Sequence, residues 1–239
     1  QSITRKHIAN YGTLKHFHEQ NVIPINDTHP ALVSPELMRI LGDVAGLDWD
    51  EAWHIVTHCV AYTNHTVMAE ALEVWPQQLF ETLLPRIWQI LQEIAHRWQR
   101  QVEDYFHDPA KTAKLAIIWD GHVRMSNLCL AGTMAVNGVS ALHSEILRKD
   151  VFKEACQMMP DKFKNVTNGI DHRRWLPQIN RGLNDLICDL TGDGYLTRPQ
   201  ELKKLEAYAD DTAVLQRLEE IKRQNKLAFA AYAKKQQGV

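Results

Sequence analysis

The stretch from Asn165 to Trp175 concentrates side chains that could bind a sugar or a phosphate. Its amides and hydroxyl can orient a polyol, because they offer both hydrogen-bond donors and acceptors. Arg173 and Arg174 suit phosphate, since the guanidinium fork matches phosphate oxygens. The Trp175 indole adds a flat apolar face for a sugar or a planar cofactor. A polar turn between two helices is the alternative interpretation of the same residues.

Polar groups also follow apolar runs at three earlier points of the chain. A predicted strand over 21–26 runs into Asp27-Thr28-His29-Pro30, and a strand that ends in a polar turn is where open α/β sheets place ligand groups. A helix predicted from Asp48 ends in 61–66, where His65 could be a general acid or base, a sugar ligand or a buried structural histidine. Asn137 and Gly138 could present backbone amides to a ligand.

His54 and His58 lie four residues apart on the polar face of the helix predicted from Asp48. That spacing could bind zinc, but the glutamate that zinc hydrolases carry beside the first histidine is missing. No third ligand stands at a diagnostic spacing, so we predict a solvated helix face and no metal site.

The composition limits the classes of function. The chain has 239 residues, 45% hydrophobic and 23% charged, with a net charge of −2. This balance gives no electrostatic reason to expect nucleic acid or an anionic membrane as partner. No apolar run approaches the roughly 20 residues that span a bilayer, and the first residues contain no apolar signal-peptide centre. We therefore expect a cytoplasmic protein.

The cysteines and lysines show no reactive pattern. Four widely spaced cysteines sit among apolar neighbours and form no CxxC pair, which predicts buried free thiols: Cys59, Cys129, Cys156 and Cys188. Lys111, Lys114 and Lys162 sit in polar sequence, so we expect their ammonium groups to stay hydrated.

Apolar periodicity predicts several helices. One runs from Pro85 to about Phe106, one is predicted over 140–159 with Leu142 inward, and a long one starts at about Asp211. A domain boundary is expected near Gly169.

Taken together, the polar segments resemble those of the α-glucan phosphorylase family. The matching segments stand in the family's order and at about its spacing, and the resemblance covers nearly all of the chain from Val22 onward: residues 26–32, 61–67, 135–139 with 143–146, and 165–175. The sequence departs from the family at Asp171-His172, where Thr-Pro is usual, and at Ala69, where proline is usual. The first difference affects the loop around Arg173, because proline restricts its own φ and its predecessor.

The resemblance implies an α/β fold, a helix-rich fragment of a two-domain Rossmann-like architecture of the glycosyltransferase-B type. Residues 1–168 would be the C-terminal part of the N-terminal α/β domain on the sugar-pocket side. Residues 169–239 would be the opening helices of the C-terminal cofactor-binding domain.

The resemblance also implies a function. Such enzymes are retaining glycosyltransferases that transfer a glucosyl group from an α-1,4-glucan end to inorganic phosphate, giving glucose 1-phosphate. By similarity, His65 and Asn168 hold hydroxyls of the transferred sugar. The neighbouring glucan unit would be contacted by Asp27, His29 and Thr66. The sugar pocket would be lined by Asn137 and Val139. Trp175 and Arg174 would lie beside the cofactor.

The implied cofactor is pyridoxal phosphate, whose lysine we expect outside this chain, so that the chain alone would be inactive. The parent would be a homodimer, and allosteric regulation is a family property. The competing hypothesis is a non-catalytic glucan-binding or interaction fragment.

Overall fold

A computed structural model describes residues 2–238 of the chain. The chain divides into two compact units, Gln1–Asn168 and Gly169–Val239, and each unit is described by itself.

The larger unit alternates helices and short strands. In chain order these are α1 Ser2–Tyr11, α2 Phe17–Gln20, β1 Ile23–Asn26, α3 Val33–Arg39, α4 Trp49–Cys59, β2 Val60–Thr63, β3 Val74–Pro76, α5 Gln77–Leu83, α6 Pro85–Phe106, α7 Pro109–Leu115, β4 Ile118–Trp119, β5 His122–Arg124, α8 Met125–Gly132, β6 Ala135–Gly138, α9 Ala141–Ile146, α10 Lys153–Met158 and β7 Phe163–Asn165. One turn of π-helix extends α3 over Ile40–Val44, and another extends α9 over Leu147–Val151.

The main sheet of this unit is parallel, with strand order β1-β2-β6-β7. Parallel strands are joined through helices that cover the sheet, so their inward side chains are buried. Ile25, Tyr62 and Val136 are accordingly 3%, 0% and 0% exposed. This arrangement confirms the predicted α/β fold class.

The larger unit also contains a small antiparallel sheet with strand order β3-β5-β4. The β4–β5 hairpin turns at Asp120 and Gly121, whose φ angles are +50° and +70°. Both central residues of a type I′ turn need positive φ, which Asp-Gly tolerates well. Strand β4 is two residues long, because Leu115 ends α7 and Ala116 and Ile117 form the connection between the two elements.

Two helices of this unit follow their sequence signals closely. The side chain of Asp48 accepts the Glu51 amide, so α4 begins with a side-chain cap. The long helix α6 begins at Pro85 and buries one apolar stripe, and its Trp98 indole donates to the Leu115 carbonyl at 2.8 Å. The buried indole is thereby satisfied and ties α6 to α7.

The prediction of one continuous helix over 140–159 is wrong. The segment consists of α9, a π-helical turn and α10, which starts after Phe152 at φ −118° and ψ 31°. Leu142 is 68% exposed rather than inward. The outcome differs because residues of α9 pack on β6 and β7, and that packing decides which face of the helix is buried.

The smaller unit is helical. It contains a π-helical turn Arg174–Gln178, α11 Arg181–Thr191, 3₁₀ segments Asp193–Leu196 and Pro199–Tyr208, and α12 Thr212–Gln237. The Asp211 side chain accepts two amides at the start of α12, as its sequence predicts. No helix within residues 2–238 has both the length and the apolar character needed to cross a bilayer.

Candidate functional site

The carboxyl ends of the main-sheet strands bring the polar segments of the larger unit to one edge. In the register of adjacent strands, Asn26 of β1 pairs with Thr63 of β2, and Thr63 pairs with Asn137 of β6. Gly138 of β6 pairs with Asn165 of β7. Because all four strands run parallel, the loops that follow them leave the sheet on the same side. Residues 27–30, 64–67, 139–140 and 166–168 therefore surround a single edge.

Asp27 connects the loop after β1 to the loop after β2. Its carboxylate accepts hydrogen bonds from the Thr28 amide at 2.7 Å, the His65 amide at 3.3 Å and the Thr66 hydroxyl at 3.1 Å. Its backbone has φ +59°, a left-handed conformation that short polar side chains tolerate better than most. The residue is 9% exposed. This buried carboxylate fixes the backbone at His65 and the side chain of Thr66.

Asn64 begins one of three Asn-x-Thr patterns, at Asn26, Asn64 and Asn165, which the sequence predicts to be polar site residues rather than glycan acceptors. Its side chain is fully buried, donates to the Tyr62 hydroxyl at 2.7 Å and accepts the Thr66 amide at 2.9 Å. Its own amide donates to the Asn137 carbonyl at 2.9 Å. The available signal was an asparagine directly after a buried strand, since such a side chain can organise a turn by bonding two residues on.

His65 and His29 lie in the loops after β2 and β1, and both are exposed. Within residues 2–238 no hydrogen bond involves the His65 imidazole, although its backbone is fixed by Asp27. The His29 Nδ1 atom lies 3.5 Å from Glu73 Oε2, which also accepts the Thr28 hydroxyl at 2.7 Å. Among residues 2–238 the exposed His65 imidazole therefore has its hydrogen-bond donor and acceptor free.

The end of β6 meets the segment that follows β7. Thr63 donates to Asn137 Oδ1 at 2.8 Å, while the Asn168 amide donates to the Val139 carbonyl at 3.0 Å. The Val139 amide donates to His143 Nδ1 at 3.1 Å, which assigns the His143 proton to Nε2. All seven predicted sugar-site residues therefore lie on this one edge, with the Asn168 side chain exposed.

Gly138 allows α9 to approach the sheet at this point. A Cβ atom there would lie 2.5 Å from Ser144 Oγ and 2.8 Å from Ser144 Cα and N. The Ser144 hydroxyl donates to Asn165 Oδ1 at 2.8 Å. The close approach ties β6, α9 and the start of the segment 165–168 together.

The remaining predicted site residues lie in the smaller unit. Trp175 is 59% exposed, and Arg174 is exposed beside it. Arg173 donates to the Leu196 carbonyl at 3.1 Å, so its guanidinium is partly used in holding the loop. Asp171, one of the departures from the family pattern, accepts the Arg174 amide at 3.1 Å and the Trp175 amide through its backbone. An open hollow there is lined by Asp171, Arg173, Arg174, Pro177, Gln178 and Arg181.

A cavity of about 560 Å³ in the larger unit contains none of the predicted site residues. Its lining includes Lys114 and Glu154, whose charged groups lie 2.7 Å apart. Volume alone therefore does not identify the site, because a ligand site also needs converging polar groups that are free to bind.

Lys162 corrects the expectation of a hydrated lysine. Its ammonium donates to the Leu130 carbonyl and lies 3.9 Å from Met159 Sδ. Desolvation lowers the pKa of Lys162 to about 8. The sequence around it is polar, but the fold places the partly buried side chain with its ammonium group against the Leu130 carbonyl of α8.

The prediction that the cysteines are buried is confirmed for two of the four. Cys59 and Cys129 are buried, whereas Cys156 and Cys188 are partly exposed, and all four are free. Burial raises the pKa of Cys59 to about 12. A thiol in such surroundings stays protonated and is a poor nucleophile.

Comparison with known proteins supports one family. The family model described as carbohydrate phosphorylase matches residues 1–239. The muscle form of glycogen phosphorylase from Oryctolagus cuniculus is 46% identical over 224 residues, which is 92% of this chain and 27% of that relative. The human muscle form is 45% identical over the same shares. The brain form from Bos taurus is 45% identical over 227 residues, 93% of this chain and 27% of that relative. The chain thus spans 27% of the length of these curated relatives.

Proposed function

Because the chain belongs to the carbohydrate phosphorylase family, we propose that it is part of an α-1,4-glucan phosphorylase. The parent enzyme, meaning the complete phosphorylase that contains these residues, transfers a terminal glucosyl group to inorganic phosphate. The bond between the anomeric carbon and the glucan oxygen breaks, and a bond from that carbon to a phosphate oxygen forms with retained configuration. A proton moves to the departing glucan hydroxyl, and glucose 1-phosphate is released.

The observation that carries this proposal is the meeting of the polar segments at one edge of the parallel sheet. The side chains of His65 and Asn168 are exposed at that edge, while Asp27 and Val139 hold their backbone amides. An oxocarbenium-like transition state gains from hydroxyl contacts that strengthen as the sugar ring flattens. Such contacts need amides and an imidazole in fixed positions, which this network provides.

The roles at the edge divide between contact and positioning. His65 and Asn168 contact hydroxyls of the transferred glucose, and Asn137 and Val139 line its pocket. His29 and Thr66 face the next glucan unit. Asp27 shares that subsite, but three hydrogen bonds already occupy its carboxylate, so it acts chiefly as a positioning residue for the His65 backbone.

The smaller unit fits a phosphate-bearing aromatic cofactor. Arg173, Arg174 and Arg181 border one open hollow with Asp171 as the acidic member, and Trp175 exposes its indole in the same segment. Guanidinium groups bind phosphate oxygens, and an indole packs on a planar ring. Pyridoxal phosphate, when bound, supplies a phosphate group that relays a proton. Arg174 and Trp175 would hold it there by charge and by packing.

The remaining assignments follow from the family. Residues 1–168 form the sugar-pocket side of the N-terminal domain, and residues 169–239 open the cofactor domain. The ligands are α-1,4-glucan, phosphate and glucose 1-phosphate, and the parent is a cytoplasmic homodimer. We expect the isolated chain to be catalytically silent, since within residues 2–238 the open hollow is lined by no basic residue besides Arg173, Arg174 and Arg181.

Kinetics of the parent enzyme test the proposal. Replacing His65 by Ala should cost on the order of 2–4 kcal/mol of transition-state stabilisation, a loss of roughly 30- to 900-fold in turnover. The loss should fall on turnover more than on the Michaelis constant for glucan. The matched control is His96→Gln, an exposed histidine on α6 away from the edge. Unchanged phosphorolysis in the His65 variant would remove this residue from the site.

A further inference from the structure

A buried tyrosine hydroxyl lies in β2, just before the loop that carries His65. Tyr62 is 0% exposed, and in the register of the main sheet it stands between Ile25 of β1 and Val136 of β6. An apolar side chain would fill this place without a polar group to satisfy. Burial raises the pKa of the Tyr62 hydroxyl, so the group stays neutral. What this hydroxyl contacts therefore bears on why a tyrosine stands there.

Asn64 is the hydrogen-bond partner of this hydroxyl. The Thr66 backbone amide can only donate, and it lies 2.9 Å from Asn64 Oδ1, so this atom is the oxygen of the side-chain amide. The NH2 group of Asn64 then faces Tyr62 and donates to its hydroxyl at 2.7 Å. The tyrosine oxygen thus fixes the direction in which the Asn64 amide faces.

The hydrogen bond from Thr66 to Asn64 closes a turn around His65. An asparagine oxygen that accepts the amide two residues on forms an Asx turn, which holds the residue between them. The Asn64 amide is itself anchored to the Asn137 carbonyl at 2.9 Å. The His65 amide has a longer contact, 3.3 Å to Asp27. The shorter hydrogen bonds around His65 are therefore those made by Asn64.

We propose that Tyr62 and Asn64 are positioning residues that direct the His65 imidazole toward the transferred glucose. The inference rests on the proposed function, in which His65 contacts a hydroxyl of that sugar. The imidazole is exposed, so the turn at its base, and not packing around the ring, limits where its donor and acceptor can lie. A contact of this kind accelerates the reaction only while it is preorganised. Neither Tyr62 nor Asn64 needs to touch the substrate, since both act through His65.

Tyr62→Phe in the parent enzyme tests the first step. The variant keeps the buried ring and removes the hydroxyl, so the Asn64 NH2 group loses its acceptor. Turnover should fall roughly tenfold, less than the ~100-fold that a 1 Å misplacement can cost, while the Michaelis constants for phosphate and glucan change little. Tyr195→Phe is the matched control, because Tyr195 is also 0% exposed and its hydroxyl donates to an asparagine, Asn184, in the smaller unit. That control should lower the melting temperature and leave turnover unchanged.

A double-mutant cycle separates positioning from general loosening of the fold. If Tyr62 acts through His65, Tyr62→Phe should slow the His65→Ala enzyme no further, because the group that it orients is already gone. Losses that multiply would overturn the proposal. Full phosphorolysis by His65→Ala alone would overturn the proposed function and this inference together. A slow His65→Ala enzyme beside a Tyr62→Phe enzyme of unchanged turnover would overturn this inference alone.

Asn64→Ala and Asn64→Ser decide the question if Tyr62→Phe does not fold. Both variants lose the contact with Tyr62, but a serine hydroxyl can still accept the Thr66 amide in a weaker turn. Asn64→Ser should therefore turn over severalfold faster than Asn64→Ala, and both should be slower than the unchanged enzyme. Equal turnover in the two variants would overturn the turn as the positioning device.

Discussion

Gly138→Ala tests whether the close approach of α9 to β6 holds the proposed sugar site together. The added Cβ would meet Ser144 Cα and N at 2.8 Å, and ordinary contact begins at 3.4 Å. The helix or the strand end must therefore move by about 0.6 Å. Two of the crowded atoms belong to the backbone, so no side-chain rotation relieves them.

The expected cost is about 2 kcal/mol, within the roughly 1–3 kcal/mol typical of overpacking. With a urea m-value on the order of 1–3 kcal/mol/M, a loss of about 2 kcal/mol lowers the unfolding midpoint by about 1 M. In the parent enzyme the same displacement moves the end of β6, where Val139 and Asn168 meet. A shift approaching 1 Å in a positioned group costs up to ~100-fold in rate.

Urea unfolding of the 239-residue chain, followed by circular dichroism, measures the change. Gly169→Ala is the matched control, because Gly169 has open space at the Cβ position and no positive φ. That control should be neutral or slightly stabilising. Gly138→Ala combined with Ser144→Ala should not recover stability, since the backbone contacts persist. If the double variant returns to the stability of Ser144→Ala alone, the backbone clash is refuted.

Three further predictions concern charge and the cofactor. In the parent enzyme, Asn168→Asp should weaken glucose 1-phosphate binding, because a carboxylate repels phosphate in the same site; wild-type affinity would contradict the assigned contact. Lys162 has a folded pKa of about 8 against an ordinary 10.5, so the unfolded chain binds more protons between those values and the stability contribution of Lys162 rises with pH there. Lys162→Met should remove that rise, so the unfolding free energy of the unchanged chain minus that of the variant should grow from pH 8 to pH 10. A difference that stays constant over this range would refute the burial of the ammonium group. The isolated chain, incubated with pyridoxal phosphate and reduced with borohydride, should show no specific single adduct by mass and no glucose 1-phosphate release, whereas both together would show a complete site.

The sequence alone was enough for the features that depend on local chemistry. Asp48 and Asp211 cap their helices because an aspartate oxygen at that position accepts free amides whatever the rest of the fold does. The Asp120-Gly121 turn follows from the same kind of local preference. The polar segments after short apolar runs predicted both the family and the edge on which the site residues gather, since parallel strands leave their carboxyl ends together.

Tertiary structure decided the features that depend on residues far apart in the chain. The ammonium group of Lys162 is desolvated against the Leu130 carbonyl of α8 although its neighbours in sequence are polar. The segment 140–159 is interrupted at Phe152, and α9 packs on β6. Asn64 connects β2 to β6, and Asp27 fixes His65 thirty-eight positions later. His18 reaches His54 and His58 from another helix. Sequence periodicity does not reveal such contacts, because burial and hydrogen-bond partners are set only when separate elements pack together.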